Sequence, residues 1–98
     1  MNFILCFTIT AKQELANLKQ HPTLEKQYKA VKKTLEFLSQ NPRHPSLQTH
    51  QYYSLQGPGG EKIFEAYAEQ DTPKAYRVFF YYGPGKGEMT IFAITSHP

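Results

Sequence analysis

The sequence holds a single cysteine, Cys6, in its 98 residues. No intrachain disulfide can therefore form. Cys6 sits in the apolar run Phe3-Ile4-Leu5-Cys6-Phe7, where a thiol reads as a small buried hydrophobe rather than a reactive group. That usage fits a reducing compartment, and a cytoplasmic protein is expected. No run approaches the ~20 apolar residues that a membrane-spanning helix needs. The opening segment has neither the basic leader nor the small-residue cleavage site of a signal peptide. The four histidines, His21, His44, His50 and His97, show no metal-ligand spacing, and one cysteine cannot complete a zinc set. There is no phosphate-cradling loop and no dinucleotide fingerprint. The expectation is a chain with no metal, no small-molecule cofactor and no membrane partner. No repeat, linker or low-complexity stretch divides it, so residues 1–98 read as one domain.

Lys and Arg number 11 against 8 Asp and Glu, a formal net charge of +3 with a pI near 9.0. This balance favours anionic partners such as RNA, DNA or an acidic protein. A chain of this size buries roughly 60–70% of its unfolded surface. That supports one core and leaves a functional site to an open groove or a sheet face.

Asn2 to Thr8 reads as a strand, and its near-continuous apolarity suggests an interior one. Thr10 is placed to cap a helix, with Gln13 at capping-box spacing. Ala11, Leu15 and Leu18 share a face of that helix, which His21-Pro22 ends. Thr23 is the candidate cap of a second helix. Its apolar stripe is Leu24, Tyr28, Val31, Leu35 and Leu38, at the spacing of one helical face. Asn41-Pro42 stops it, and the two helices are expected to form a hairpin. A proline-containing loop runs from Asn41 to His50. Four strand-like segments follow, Gln51 to Leu55, Lys62 to Glu69, Ala75 to Tyr82 and Glu88 to Thr95. Turns at Gly57–Gly60, Asp71–Lys74 and Gly83–Gly87 separate them. The order β-α-α-β-β-β-β groups helices and strands in blocks. It predicts an α+β fold with an N-terminal helical hairpin on a mostly antiparallel twisted sheet.

Alternation along Ala75 to Tyr82 puts Tyr76, Val78, Phe80 and Tyr82 on one face and Arg77, Phe79 and Tyr81 on the other. A buried, unpaired guanidinium is very costly. Arg77 should therefore point to the face the helices leave open. There it pairs with a carboxylate, Glu65 or Glu88, or it binds an anion. Lys62, Glu65 and Tyr67 lie on the preceding strand. An open face of this composition can hold phosphate by charge-assisted hydrogen bonds and stack bases on Tyr67 and Tyr81. Lys26, Lys29, Lys32 and Lys33 lie off the apolar stripe of the second helix. They read as RNA contacts or as a solvated face. His97, just past the last strand, is either an inert terminal residue or a general acid–base group.

These segments together resemble the RelE/ParE family of bacterial toxins. The resemblance runs nearly the whole length. It comprises the opening strand with FTITAKQEL, the helical pair, the Leu38–Arg43 exit with NPR, the AYRV strand at Ala75–Val78, and the close at Ile91–His97. It implies the toxin of a toxin–antitoxin pair with a cognate antitoxin protein as partner. In the ribosome-dependent mRNA-cleaving members, Arg77 matches the arginine that binds the scissile phosphate region. His97 matches a penultimate general acid–base histidine, and Lys62 is the nearest candidate for a strand lysine. Lys26, Lys29 and Lys33 would then meet ribosomal RNA. ParE-like members instead inhibit DNA gyrase without cutting RNA, and a catalytically silent partner-binding member is the third possibility. The sequence departs from the pattern at Phe64 and Glu65, where some of the nucleases carry basic residues.

Overall fold

The computed structural model describes residues 2–69 and 75–96. Chain order is β1 (Ile4–Phe7), α1 (Ile9–Gln20), α2 (Glu25–Gln40), β2 (His50–Gln56), β3 (Lys62–Tyr67), β4 (Tyr76–Tyr82) and β5 (Glu88–Ser96). Short 3-10 turns at Pro22–Leu24 and Pro45–Leu47 lead into α2 and β2. This is the expected α+β order. The five strands form one sheet in the order β1-β5-β4-β3-β2. β1 runs parallel to β5, and the other neighbours are antiparallel. The expected turn Asp71–Lys74 lies outside the described residues, as does His97.

One side of the sheet carries the helices. Val31, Leu35 and Leu38 of α2, with Ala11 and Leu18 of α1, are buried against Val78, Phe80, Met89, Ile91 and Ile94. The 3.6-residue stripe of α2 meets the two-residue alternation of β4 there, and the shared face is the main core. Phe80, fully buried, stacks on Phe64 with ring centroids 5.7 Å apart. The opposite face is not bare. Ile63, Phe79 and Tyr81 are buried there in a second, smaller cluster, packed by Tyr52 and Phe92.

Three local expectations are corrected. The apolar opening strand is an edge strand, not an interior one, with β5 as its one sheet neighbour among the described residues. Its apolar residues are consumed on one side: Phe3, Leu5 and Phe7 pack on the core, while Ile4 is 67% exposed. Thr8, not Thr10, caps α1, and its side chain accepts from the Ala11 N–H at 3.0 Å. The helix therefore begins two residues earlier, and Gln13 takes no part in the cap. Leu24, rather than Thr23, precedes α2, because Pro22–Leu24 forms the 3-10 turn and no side chain caps the helix.

Helix α1 also completes the sheet edge. β1 pairs with β5 only as far as Phe7 opposite Ile91. Beyond that point Thr8 Oγ1 donates to the Phe92 carbonyl at 2.9 Å, and Glu14 Oε1 accepts from the Ile94 N–H at 2.8 Å. Two orphan backbone groups of β5 are thereby satisfied by side chains. Partial burial pushes the Glu14 carboxyl above the ordinary 4.5, against the downward pull of the Ile94 hydrogen bond. The folded chain then holds this proton to higher pH than the unfolded chain does. The associated stability is present below the unfolded value and lost as pH rises through the folded one. Glu14→Gln keeps an oxygen for Ile94 and removes the titration. Its urea midpoint should gain on the wild type as pH rises from about 4 to about 7, and parallel midpoints at both ends of that range test it.

A candidate site: a buried carboxylate between Arg77 and His50

Arg77 lies in β4 on the face that bears Phe79 and Tyr81, away from the helices. Register places it opposite Tyr67 of β3 and Thr95 of β5. The diagonal neighbour on β3 is Glu65, and Arg77 Nη1 donates to Glu65 Oε2. Glu88, the other possible partner, is engaged elsewhere: its Oε1 accepts from the Gly85 N–H at 2.8 Å within the β4–β5 hairpin. The Arg77 guanidinium also sits 5.6 Å from the Phe79 ring centroid, within cation–π range.

Glu65 has a second partner. His50, at the start of β2, stands directly opposite it in the ladder. His50 Nε2 lies 2.7 Å from Glu65 Oε1, and His50 Nδ1 lies 2.8 Å from the Gln48 carbonyl oxygen. Both ring nitrogens thus face oxygen acceptors. A doubly protonated imidazolium satisfies both contacts, while a neutral ring satisfies one. The side chains of Glu65 and Arg77 are only 2% and 14% exposed. That of His50 is 46% exposed, so it is the part of the cluster that solvent reaches. The Tyr67 ring tilts toward it with centroids 5.6 Å apart. One carboxylate thus stands between a guanidinium and an imidazole.

The other expected site residues scatter. Lys62 shares the Phe64 side of β3, the face opposite to Arg77. It is also five positions along the strand from Tyr67, roughly 17 Å at about 3.3 Å per residue. Lys62 and Arg77 therefore cannot grip one phosphate together. Tyr81 is buried, edge-on to Phe92, and is core rather than a stacking platform. Lys26, Lys29 and Lys33 are exposed on α2, which covers the side of the sheet away from Arg77. Lys29 pairs with Glu25 at 3.2 Å, and Lys33 lies 5.8 Å from the Phe37 ring. Sequence reasoning missed His50 by ending the loop one residue late. It saw Glu65 only as a partner for Arg77. A lone Glu in the strand Ile63-Phe64-Glu65-Ala66-Tyr67 was the available signal.

No known family model matches the chain, and no curated protein does. Solved structures do. The YoeB/ParE toxin from Agrobacterium tumefaciens superposes with a TM-score of 0.68 at 7% identity, covering 96% of this chain and 98% of that one. The archaeal RelE–RelB complex from Pyrococcus horikoshii gives 0.65 at 14% identity, over 98% and 96%. The YoeB–YefM toxin–antitoxin complex from Staphylococcus aureus gives 0.66 at 11% identity, over the full length of both. The chain has the RelE/ParE toxin fold. Within that fold, the His50–Glu65–Arg77 cluster occupies the sheet face that the two helices leave uncovered. No described helix is long and apolar enough to cross a membrane.

Proposed function

We propose that this chain is the toxin of a toxin–antitoxin pair and a metal-independent, ribosome-dependent mRNA endoribonuclease of the cytoplasm. The observation that carries the reading is Glu65, held at 2% exposure between Arg77 and His50 on the open face. Burying Glu65 and Arg77 outside the main core is expensive, and the arrangement supplies the parts of a ribose-assisted cleavage. Glu65 takes the proton of the ribose 2′-hydroxyl. The oxygen attacks the adjacent phosphorus, and the bond to the 5′-oxygen breaks to leave a cyclic phosphate. Arg77 and His50 stabilise the charge growing on the phosphoryl oxygens. His97 gives a proton to the departing oxygen. Substrate meets the carboxylate where the half-exposed His50 ring covers it, and each carboxylate oxygen has a second lone pair for that contact. A cognate antitoxin protein would cover this basic face.

The test is cleavage of mRNA on ribosomes by purified protein, read by primer extension. Arg77→Ala, His97→Ala and Glu65→Gln should each lose about 10²-fold or more, the size of a charge-stabilising or acid–base group. A second reading has its own support. Arg77 is occupied by Glu65, Tyr81 is buried, and Lys62 is on the far face. Those placements favour a ParE-like gyrase inhibitor or a silent partner-binding protein. Failure of the wild type to cut at any ribosome concentration would make that reading the better one.

A further inference from the structure

A cleft of about 520 Å³ opens at the β2 edge of the sheet, lined by Arg43, Thr49, His50, Phe64 and Tyr82. Phe64 and Tyr82 lie on the helix-bearing face, opposite to Arg77, and His50 on the edge strand is the residue shared with the candidate site. One wall is aromatic and rigid. Tyr82, 41% exposed, is braced edge-on by Phe64 and Phe80, with ring centroids 5.5 and 5.8 Å away. Phe3, just before β1, supports it at 5.6 Å.

The other wall is the loop from Asn41 to Thr49, and it is tied down. Asn41 Oδ1 accepts from the Arg43 N–H at 3.2 Å, and Thr49 Oγ1 donates to the Pro42 carbonyl at 2.7 Å. His44 stacks on Phe37 at 4.3 Å, and Leu47 is buried. Arg43 therefore projects from a fixed turn beside Tyr82, whose hydroxyl is pushed up by burial against the downward pull of the Arg43 charge. Lys62 lies on the same face of β3, two residues before Phe64, and does not line the cleft.

We infer that this cleft is a nucleobase subsite, in which RNA that wraps the β2 edge away from the cleaved bond stacks a base on Tyr82 while Arg43 holds its phosphate. The volume is that of a small-ligand pocket. An exposed, braced aromatic ring with a cation at its rim is the combination that single-stranded RNA uses. The inference rests on the nuclease reading.

The probe is a fluorescein-labelled 2′-O-methyl hexaribonucleotide, which lacks the attacking hydroxyl and cannot be cut. Its affinity is read by anisotropy at low salt. Tyr82→Leu should weaken binding about 5- to 100-fold, and Tyr82→Phe should leave it near wild type. Arg43→Ala should reduce the log–log salt slope by about 0.7. Thermal melts of the variants confirm that each is folded. Hexamer binding by folded Tyr82→Leu equal to wild type overturns the inference, and a peptide-binding cleft takes its place. Ribosomal mRNA cleavage by the same proteins separates the two levels. If the wild type cuts and Tyr82→Leu cuts at the same rate and sites, the subsite falls and the nuclease stands. If the wild type neither binds nor cuts, both fall.

Discussion

Glu65→Ala should cost the fold about 3–5 kcal/mol, the range found when one partner is removed from a buried ion pair. The substitution strands Arg77, whose side chain is 14% exposed, beside a cavity. The Arg77 Nε is already buried with no hydrogen-bond partner among the described residues. Loss of Glu65 takes the one carboxylate that Nη1 meets. Arg77→Ala should cost less, because Glu65 keeps His50 at 2.7 Å. His50→Ala should cost least, since its side chain is 46% exposed and water replaces it. Urea denaturation of the three variants at pH 7 gives the ranking. A loss below about 1 kcal/mol for Glu65→Ala, the range of exposed pairs, would mean that water reaches the pair in solution.

That ranking depends on a feature the sequence offered only in part. The face of Arg77 was legible, because alternation along Tyr76–Tyr82 fixes which side chains join Phe80 and which do not. The α2 stripe was legible for the same kind of reason: Val31, Leu35 and Leu38 repeat at helical spacing and are buried. What alternation could not give was which strands neighbour which. The β1 run looks like an interior strand because its apolar side chains serve the core from the edge, and only the parallel pairing with β5 reveals that. The start of α1 was misplaced for a local reason. Thr10 has the capping-box spacing to Gln13, but it is the Thr8 hydroxyl that also reaches the Phe92 carbonyl, a tertiary contact across 84 positions of sequence. The candidate site depends on long-range pairing in the same way. His50 meets Glu65 only because β2 pairs with β3 in one register, and a shift of one residue would send it to the other face. Lys62 and Arg77 are close in composition and chemistry, yet the parity of β3 separates them.

A cluster of this kind could serve the sheet or serve chemistry, and apolar replacement of the whole cluster tells them apart. Well-packed hydrophobic residues in place of a buried ion network are often neutral or stabilising by about 1–4 kcal/mol. The triple variant His50→Leu, Glu65→Leu, Arg77→Met extends the second cluster of Ile63, Phe79 and Tyr81 across the open face. It should therefore fold at least as well as the wild type, unlike Glu65→Ala, while mRNA cleavage on ribosomes falls by about 10²-fold or more. A stable and inactive triple variant would mean that the charges are kept at the expense of stability for the sake of the reaction. A triple variant that still cuts would remove the open face from the mechanism. One that unfolds would assign the network to holding β2 in register. His50 does span the β2–β3 ladder and its own loop through Gln48, so that outcome has a physical basis. Hydrogen exchange at β2 in the single variant His50→Leu would then show the strand released while the β4–β5 ladder stays protected.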